Sequence, residues 1–353
     1  MNVAVLGTGS IGLATAALLG REHRVTLWSP TGRGIEGLEG GRLSFSGALA
    51  GEAPVRTARE LGAAVTDADV IIVAVPAYGQ LEVLRQCAAQ LREGQPVFLM
   101  PMLSLAGMVL AQLLAARGLR CLIGGFGTTV MTARKAGPDS VRLLALRDRL
   151  DVAGMPAADT PRALKLAQQL FGDRFNAQSD LLAISLSQTN PVAHVPLALA
   201  NLTRMELGEA WTQYDHMAGA TAQVCVALDR ERLAVAQAFG LTVRSIEQHF
   251  HLSFGAPMMD FSAQCRWVHE TRGSPAGPAS LDTRYITEDV PYGLVFNARM
   301  GRMAGAATPI TDGCVALASA AYGRDFSGEN ALVGALDPAL LNRQSLLAAL
   351  RSG

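Results

Sequence analysis

The chain has 353 residues, half of them hydrophobic and 17% charged, and its 30 basic and 30 acidic residues cancel. Zero net charge removes the electrostatic reason to expect a nucleic acid or an anionic membrane surface as partner, and 5% aromatic residues is too few for a base-stacking platform. The length suits two domains of ordinary size, each able to bury a core.

The opening Met1-Asn2-Val3-Ala4-Val5-Leu6-Gly7 reads as a buried strand, not as a basic leader followed by a long apolar run. No stretch approaches ~18 apolar residues without Gly, Pro or charge, so no membrane span is expected and the expected location is the cytoplasm. A strand is predicted over Val3–Leu6, a helix over Ile11–Leu19 and a second strand over Arg24–Trp28. Asp69–Pro76 is β-branched without alternation, as a strand covered on both faces requires. Tyr78–Arg92 then predicts a helix ended near Gly94, Pro96–Met100 a strand, Leu105–Arg117 a helix ended by Gly118, and Arg120–Ile123 a strand. Repeated βα units of this kind imply an α/β Rossmann domain with a mostly parallel, doubly wound sheet.

In the second half strand patterns become rare and helical periodicity takes over, which predicts an all-α domain. In Ala222–Phe239, Val224, Leu228, Val235 and Phe239 fall on one face, Asp229, Arg230 and Arg232 point elsewhere, and Gly240 is a stop. Gly273–Pro278 is a Gly/Pro-rich loop, expected to be flexible and able to close over a cleft. The domain change is placed near residue 180, giving a dinucleotide-binding domain over 1–180 and a helical catalytic domain over 181–353. The five cysteines, Cys87, Cys121, Cys225, Cys265 and Cys314, are scattered without metal-like or redox-like spacing and read as reduced, mostly buried thiols.

Gly7-Thr8-Gly9-Ser10-Ile11-Gly12 is a G-x-G-x-x-G pattern that follows a strand and opens a helix, the context that gives the pattern weight. Gly7 permits the tight turn, Gly9 lets the backbone approach a pyrophosphate, and Gly12 lets helix and strand pack closely. Ser10, Ile11, Val75 and Pro76 are also expected at the cofactor. The second strand ends at Trp28-Ser29, where an NAD enzyme usually carries an acid for the ribose 2′-hydroxyl. Ser29, Thr31 and Arg33 stand there instead, with Glu36 the first acid, and hydroxyls with an arginine suit the 2′-phosphate of NADP. NADP is therefore preferred, with NAD as the alternative.

The segment Thr189-Asn190-Pro191-Val192-Ala193-His194-Val195-Pro196 starts a helix with Asn190 as cap and Pro191 at its first position, and Pro196 is expected to bend it. His194 falls in the first turns, where the helix dipole disfavours a charged imidazole. Further on, Arg284 offers a planar fork for a carboxylate, and Asp289 offers a carboxylate that can orient an imidazole. Spacing alone favours an ordinary ion pair between Arg284 and Asp289 or Glu288. The other histidines, including His249 and His251 two residues apart, do not compose a metal site, and no metal is expected.

Over essentially its whole length the sequence resembles the octopine/opine dehydrogenase family. The resemblance rests on Asn190–Pro196, on Thr283-Arg284-Tyr285 through Glu288-Asp289-Val290-Pro291-Tyr292-Gly293-Leu294-Val295, on Ala306–Asp312 and on Gly323-Arg324-Asp325-Phe326. It implies a Rossmann domain followed by a helical domain, with the family's catalytic histidine, arginine and aspartate at His194, Arg284 and Asp289. Thr128 and Thr129 become candidates for contacting substrate. The implied reaction condenses a 2-oxo acid with the amino group of an amino acid and reduces the imine with NAD(P)H. The implied partners are those two small molecules, and the chain is expected to act as a monomer or homodimer. Two departures stand out: Met100-Pro101-Met102 where relatives often have Asn-Pro-Gly, and Phe296 where a Pro is usual. Two rival readings are a ketopantoate-reductase-like 2-oxo acid reductase and a non-catalytic NAD(P)-binding sensor. The first typically uses a lysine in its second domain, and this chain has none after Lys165.

Overall fold

A computed structural model describes residues 1–352. They form two compact units, the first comprising Met1–Ser185, Ala335–Leu340 and the chain from Gln344 onward, the second Leu186–Gly334 with Leu341–Arg343. The C-terminal helix Arg343–Ser352 thus counts with the first unit: Leu346 and Leu350 are buried, and Arg351 lies within electrostatic reach of the Asp180 carboxylate.

All eleven strands among the described residues lie in the first unit: β1 Asn2–Leu6, β2 Arg24–Trp28, β3 Arg42–Gly47, β4 Gly51–Ala58, β5 Val70–Val73, β6 Val97–Leu99, β7 Ile123–Phe126, β8 Met131–Gly137, β9 Ser140–Leu146, β10 Leu150–Met155 and β11 Phe175–Ala177. They make one sheet in the order β11-β10-β7-β6-β5-β1-β2-β4-β3-β9-β8. The block from β7 to β4 is parallel throughout, as strands joined by crossover helices must be. Strand order reverses at β1, which pairs with β2 on one side and β5 on the other, and the carboxyl ends of β1 and β5 at such a reversal are where α/β sheets bind ligands.

The sheet is longer than the predicted elements. The antiparallel pairs β3–β4 and β8–β9 extend one edge, and β10 pairs antiparallel with β7 at the other. The strand predicted over Arg120–Ile123 is found three residues later, at Ile123–Phe126. Its two glycines have a packing reason: a Cβ on Gly124 would lie 2.2 Å from the Phe98 ring, and one on Gly125 2.7 Å from Met102 Sδ. The space at Gly124 is filled by Phe98, which stacks with Phe126 and through it with Phe175, the ring centroids 5.0 and 5.1 Å apart, and the space at Gly125 by Met102 and Leu181. Met100 and Met102, one of the two departures noted above, are both buried, with the Val130 N–H directed at Met100 Sδ. Phe296, the other, is buried in the second unit.

The second unit is helical, around a separate core that includes Val192, Val195, Leu228, Phe250, Phe261 and Leu294. Its long helix Ala220–Ala238 buries Leu228 and Val235, but the expectation about its polar residues fails. Asp229 and Arg232 are buried and Val224 is exposed. The reason is a closed polar network. Arg232 donates to Asp229 Oδ1 at 2.9 and 2.6 Å, to the Leu186 carbonyl and to the Arg244 carbonyl, and Asp229 Oδ2 accepts the Ile246 N–H at 2.9 Å. Buried charges are tolerated when they are paired and their remaining hydrogen-bonding capacity is used. On the same turn, Glu231 accepts the N–H groups of Ile310 and Thr311 and the Thr311 hydroxyl, capping the helix Pro309–Tyr322 from outside it.

Removing one member of the buried pair strands the other. Arg232→Met is expected to destabilise by about 3–5 kcal/mol. The double variant Asp229→Leu/Arg232→Met should cost less than the sum of its single changes when unfolding is followed in denaturant. Additive losses would show that the two charges do not depend on each other.

Candidate active site

The turn after β1 is built by contacts that exclude side chains at two of its glycines and not at the third. Gly7 has φ +127°, and a Cβ there would lie 2.4 Å from the Ala74 carbonyl oxygen at the end of β5. On Gly12 a Cβ would lie 1.9 Å from the Gly7 carbonyl oxygen, so the helix Ser10–Leu19 sits directly on the turn. Around Gly9 there is nothing within 4 Å of that position, and no side chain caps the helix beginning there. Open space at Gly9 and uncapped N–H groups at the helix start form a ready place for an anion such as a pyrophosphate. Ser10 Oγ accepts the Lys135 N–H at 3.0 Å, and Ile11 packs on the core. Val75 is buried within 3.1 Å of where a Gly7 side chain would stand, and exposed Pro76 precedes the helix Ala77–Gln90. The buried Gln80, which sequence reading passed over, donates to the carbonyls of Val75 and Pro101 and ties together the segments that follow β5 and β6.

The segment after β2 is held against this turn. A Cβ on Gly34 would overlap the Thr8 side chain, and one on Gly37 would meet Pro138. Ser29 is buried with its hydroxyl 3.4 Å from that of Thr31, while Thr31 and Arg33 are exposed. Elsewhere in the same unit Thr128 is half-buried, and Thr129 donates its hydroxyl to the Met131 carbonyl at 2.7 Å.

In the second unit the helix Asn190–Ala200 carries His194, and its cap is Thr189, one residue before the predicted Asn190. Pro196 lies inside the helix. Asp289 ends the segment that leads into a π-helical turn, Val290–Leu294. The two segments meet because Gly293 has no side chain: a Cβ there would lie 2.1 Å from Pro191 Cγ. This brings His194 Nδ1 to 2.8 Å from Asp289 Oδ2, with the two side chains 15% and 10% exposed. A neutral imidazole that donates Nδ1–H to a carboxylate keeps Nε2 as the nitrogen that takes or gives a proton. The Asn330 amide donates to the Pro291 carbonyl at 2.9 Å and steadies the π turn.

Tyr285, whose role sequence reading missed, lies flat on His194, with ring centroids 3.8 Å apart and planes at 3°. Gln213 donates to Tyr285 Oη at 2.7 Å and to the Ala276 carbonyl at 2.8 Å. Arg284 is exposed and, among the described residues, forms no ion pair with Glu288 or Asp289, so that alternative is not realised. The Gly273–Pro278 loop is fastened, contrary to expectation. Gly277 packs on the Trp211 ring, the Trp211 indole donates to the Pro278 carbonyl, and the Gln213 N–H donates to the Pro275 carbonyl.

All five cysteines are free thiols. Burial pushes the Cys87 and Cys265 thiols up to about 12 and the Cys225 thiol well above its ordinary value, which leaves these three unreactive as nucleophiles. Among the described residues no cluster of His, Cys, Asp or Glu could hold a metal ion, and no helix is long and apolar enough to cross a membrane.

Residues 177–322 match the family model described as NAD/NADP octopine/nopaline dehydrogenase, alpha-helical domain, and residues 3–151 match that of ketopantoate reductase PanE/ApbA. An opine dehydrogenase of Arthrobacter sp. (strain 1C) is 31% identical over 338 residues, 92% of each chain. Among solved structures, octopine dehydrogenase with NADH and L-arginine superposes with a TM-score of 0.80 at 19% identity, over 100% of this chain and 98% of the other. Yersinopine dehydrogenase with NADP+ bound gives 0.74 at 16%, over 100% and 99%.

The glycines of the turn should separate in experiment. Gly9→Ala meets no atom and should change stability by less than about 0.5 kcal/mol while weakening dinucleotide binding measured by fluorescence titration. Gly12→Ala drives a methyl into the Gly7 carbonyl and should destabilise by about 1–3 kcal/mol. Equal thermal shifts for the two variants would contradict the packing described.

Proposed function

The chain belongs to the octopine/nopaline dehydrogenase family, and from that footing we propose which of its residues carry the family's reaction and which nicotinamide cofactor they take. It is an NAD(P)H-dependent oxidoreductase of the opine dehydrogenase type, acting on a CH–NH bond. A 2-oxo acid and the amino group of an amino acid lose water to give an imine, and the imine takes up a hydride and a proton to give a secondary amine. The dinucleotide supplies the hydride when bound. The Gly7–Gly12 turn and the uncapped helix start would hold its pyrophosphate, with Ser10, Ile11, Val75 and Pro76 around it.

The observation that carries the catalytic assignment is the 2.8 Å bond between His194 Nδ1 and Asp289 Oδ2. Asp289 fixes the imidazole so that Nε2 is the working nitrogen. There His194 donates a proton as the carbonyl oxygen leaves as water, and accepts one in the reverse direction. Arg284, exposed and among the described residues without an ion pair, holds a substrate carboxylate through two parallel N–H bonds. Thr128 is the better candidate of its pair for a substrate contact, because the Thr129 hydroxyl proton is already committed to Met131.

For the cofactor we favour NADP over NAD. Ser29 and Thr31 present hydroxyls, Arg33 is exposed beside them, and Gly34 anchors the segment on Thr8. Glu36, the first acid after β2, lies beyond that anchor and is exposed. NADPH should therefore turn over more efficiently than NADH, and Ser29→Asp should lower the ratio of the two kcat/KM values by repelling a 2′-phosphate. A ratio already favouring NADH in the unaltered chain, or one that Ser29→Asp leaves unchanged, would refute the cofactor assignment.

The reaction needs two organic substrates. Oxidation of NADPH should stay at background with either a 2-oxo acid or an amino acid alone and proceed with both, and mass spectrometry should find the condensed secondary amine. A hydroxy acid formed from the oxo acid alone would instead identify a ketopantoate-reductase-like activity. His194→Gln should retain NADPH binding and lose about 10²–10⁴-fold in turnover, and near-normal turnover in a folded variant would remove His194 from the mechanism.

A further inference from the structure

The geometry points to Tyr285 and Gln213 as positioning residues for the imidazole of His194, acting through the face of the ring where Asp289 acts through its edge. The inference rests on the reading of His194 as the acid/base given above.

One hydrogen bond does not fix an imidazole. With Nδ1 held 2.8 Å from Asp289 Oδ2, the ring can still swing about the line joining those two atoms, and Nε2 sweeps with it. Displacements of this kind matter, because a reacting group ~1 Å out of place can cost about 10²-fold in rate. A flat neighbour against the ring face removes that freedom. Tyr285 supplies one, its ring 3.8 Å from that of His194 and only 3° from parallel.

Tyr285 is itself held at its far end. The Gln213 side-chain amide donates its two protons in two directions, one to Tyr285 Oη at 2.7 Å and one to the Ala276 carbonyl at 2.8 Å. Gln213 is buried, and its own N–H donates to the Pro275 carbonyl. Its neighbour Trp211 is locked on Gly277 and Pro278. At its other end Tyr285 belongs to the short helix Arg284–Thr287, begun by Thr283, whose hydroxyl accepts the Tyr285 N–H at 3.3 Å. A continuous set of contacts thus runs from the Gly273–Pro278 loop through Gln213 and Tyr285 to the face of His194. The fastening of that loop acquires a purpose: it is the anchor of a ring support.

The test uses the full chain with Tyr285→Phe, Tyr285→Leu and Gln213→Ala, and two readouts. The first is steady-state kinetics. Tyr285→Leu removes the flat face and should lower kcat by about 10²-fold with the KM for NADPH unchanged. Tyr285→Phe keeps the face, loses only the hydroxyl that Gln213 reaches, and should retain activity to within about 10-fold, the span expected for one neutral hydrogen bond. Such rescue by the conservative variant is what a merely structural role would not give. A kcat for Tyr285→Leu within threefold of the unaltered chain, or a Phe variant as impaired as Leu, would overturn the proposal.

The second readout is independent of turnover. The ring protons of His194, assigned by their absence in His194→Gln, should carry the ring-current shift of a stacked phenol. Gln213→Ala should displace or broaden them in the intact protein, even where Tyr285→Leu does not fold. Unmoved resonances in a folded Gln213→Ala would overturn the proposal. Full turnover in His194→Gln would instead remove the acid/base reading while leaving the stacking measurement standing, so the two failures are distinguishable.

Discussion

The second unit turns on how closely two segments distant in sequence approach one another. Pro191 on the helix Asn190–Ala200 touches the place where a side chain on Gly293 would stand, and at that separation a carboxylate from one segment meets an imidazole from the other. Any side chain at 293 would have to be accommodated by moving the π turn or the helix, and the His194–Asp289 bond would have to move too. The π-helical geometry of Val290–Leu294 adds to this, since a π turn is a local distortion of the kind kept where a site requires it. The first unit obeys a matching constraint. Gly7, Gly12 and the Ala74 carbonyl are packed so tightly that the turn has one shape, and only Gly9 faces open space. In both places the backbone, with a glycine, does the shaping, and the candidate side chains are set upon it.

The parallel half of the sheet was legible because its strands are buried on both faces and carry unbroken apolar runs: Val3–Leu6 and Val70–Val73 stand at the predicted places. The strands on the far side of β2 were not. β3 buries Leu43 and Phe45 and exposes Arg42, β4 contains Pro54, and β8 carries Arg134 and Lys135 outward, so none shows the apolar continuity of a central strand. β7 was displaced because Gly124 and Gly125 weaken strand propensity, and the side chains that require them, Phe98 and Met102, come from elsewhere in the chain. In the helical half, Asp229 and Arg232 read as surface residues because charge normally marks a solvated face. The partners that permit their burial, Leu186, Arg244 and Ile246, are 12 to 46 residues away in sequence and invisible to any local pattern.

The candidate site divides in the same way. His194 and Asp289 could be named from motifs, but the bond between them spans 95 residues and only the fold closes it. Tyr285 sat inside one of those motifs and still drew no role, because stacking leaves no signature in spacing. Gln213 had no motif to mark it. A buried glutamine whose amide splits between two acceptors is a feature that can be found only once both acceptors are in place.

The turn Asp229–Arg232 has a consequence for how the helical unit comes apart. Within four residues it grips the Leu186 carbonyl, the Arg244–Ile246 stretch and the start of the helix Pro309–Tyr322. Those gripped segments lie outside the regular ladder of the helix that holds them, and each would otherwise be free to fray by itself. Fastened to one turn, they are expected to be released when that turn itself opens. The amide protons of Ile246, Ile310 and Thr311 are thereby expected to exchange in one shared event, which couples the chain from Leu186 to Thr311.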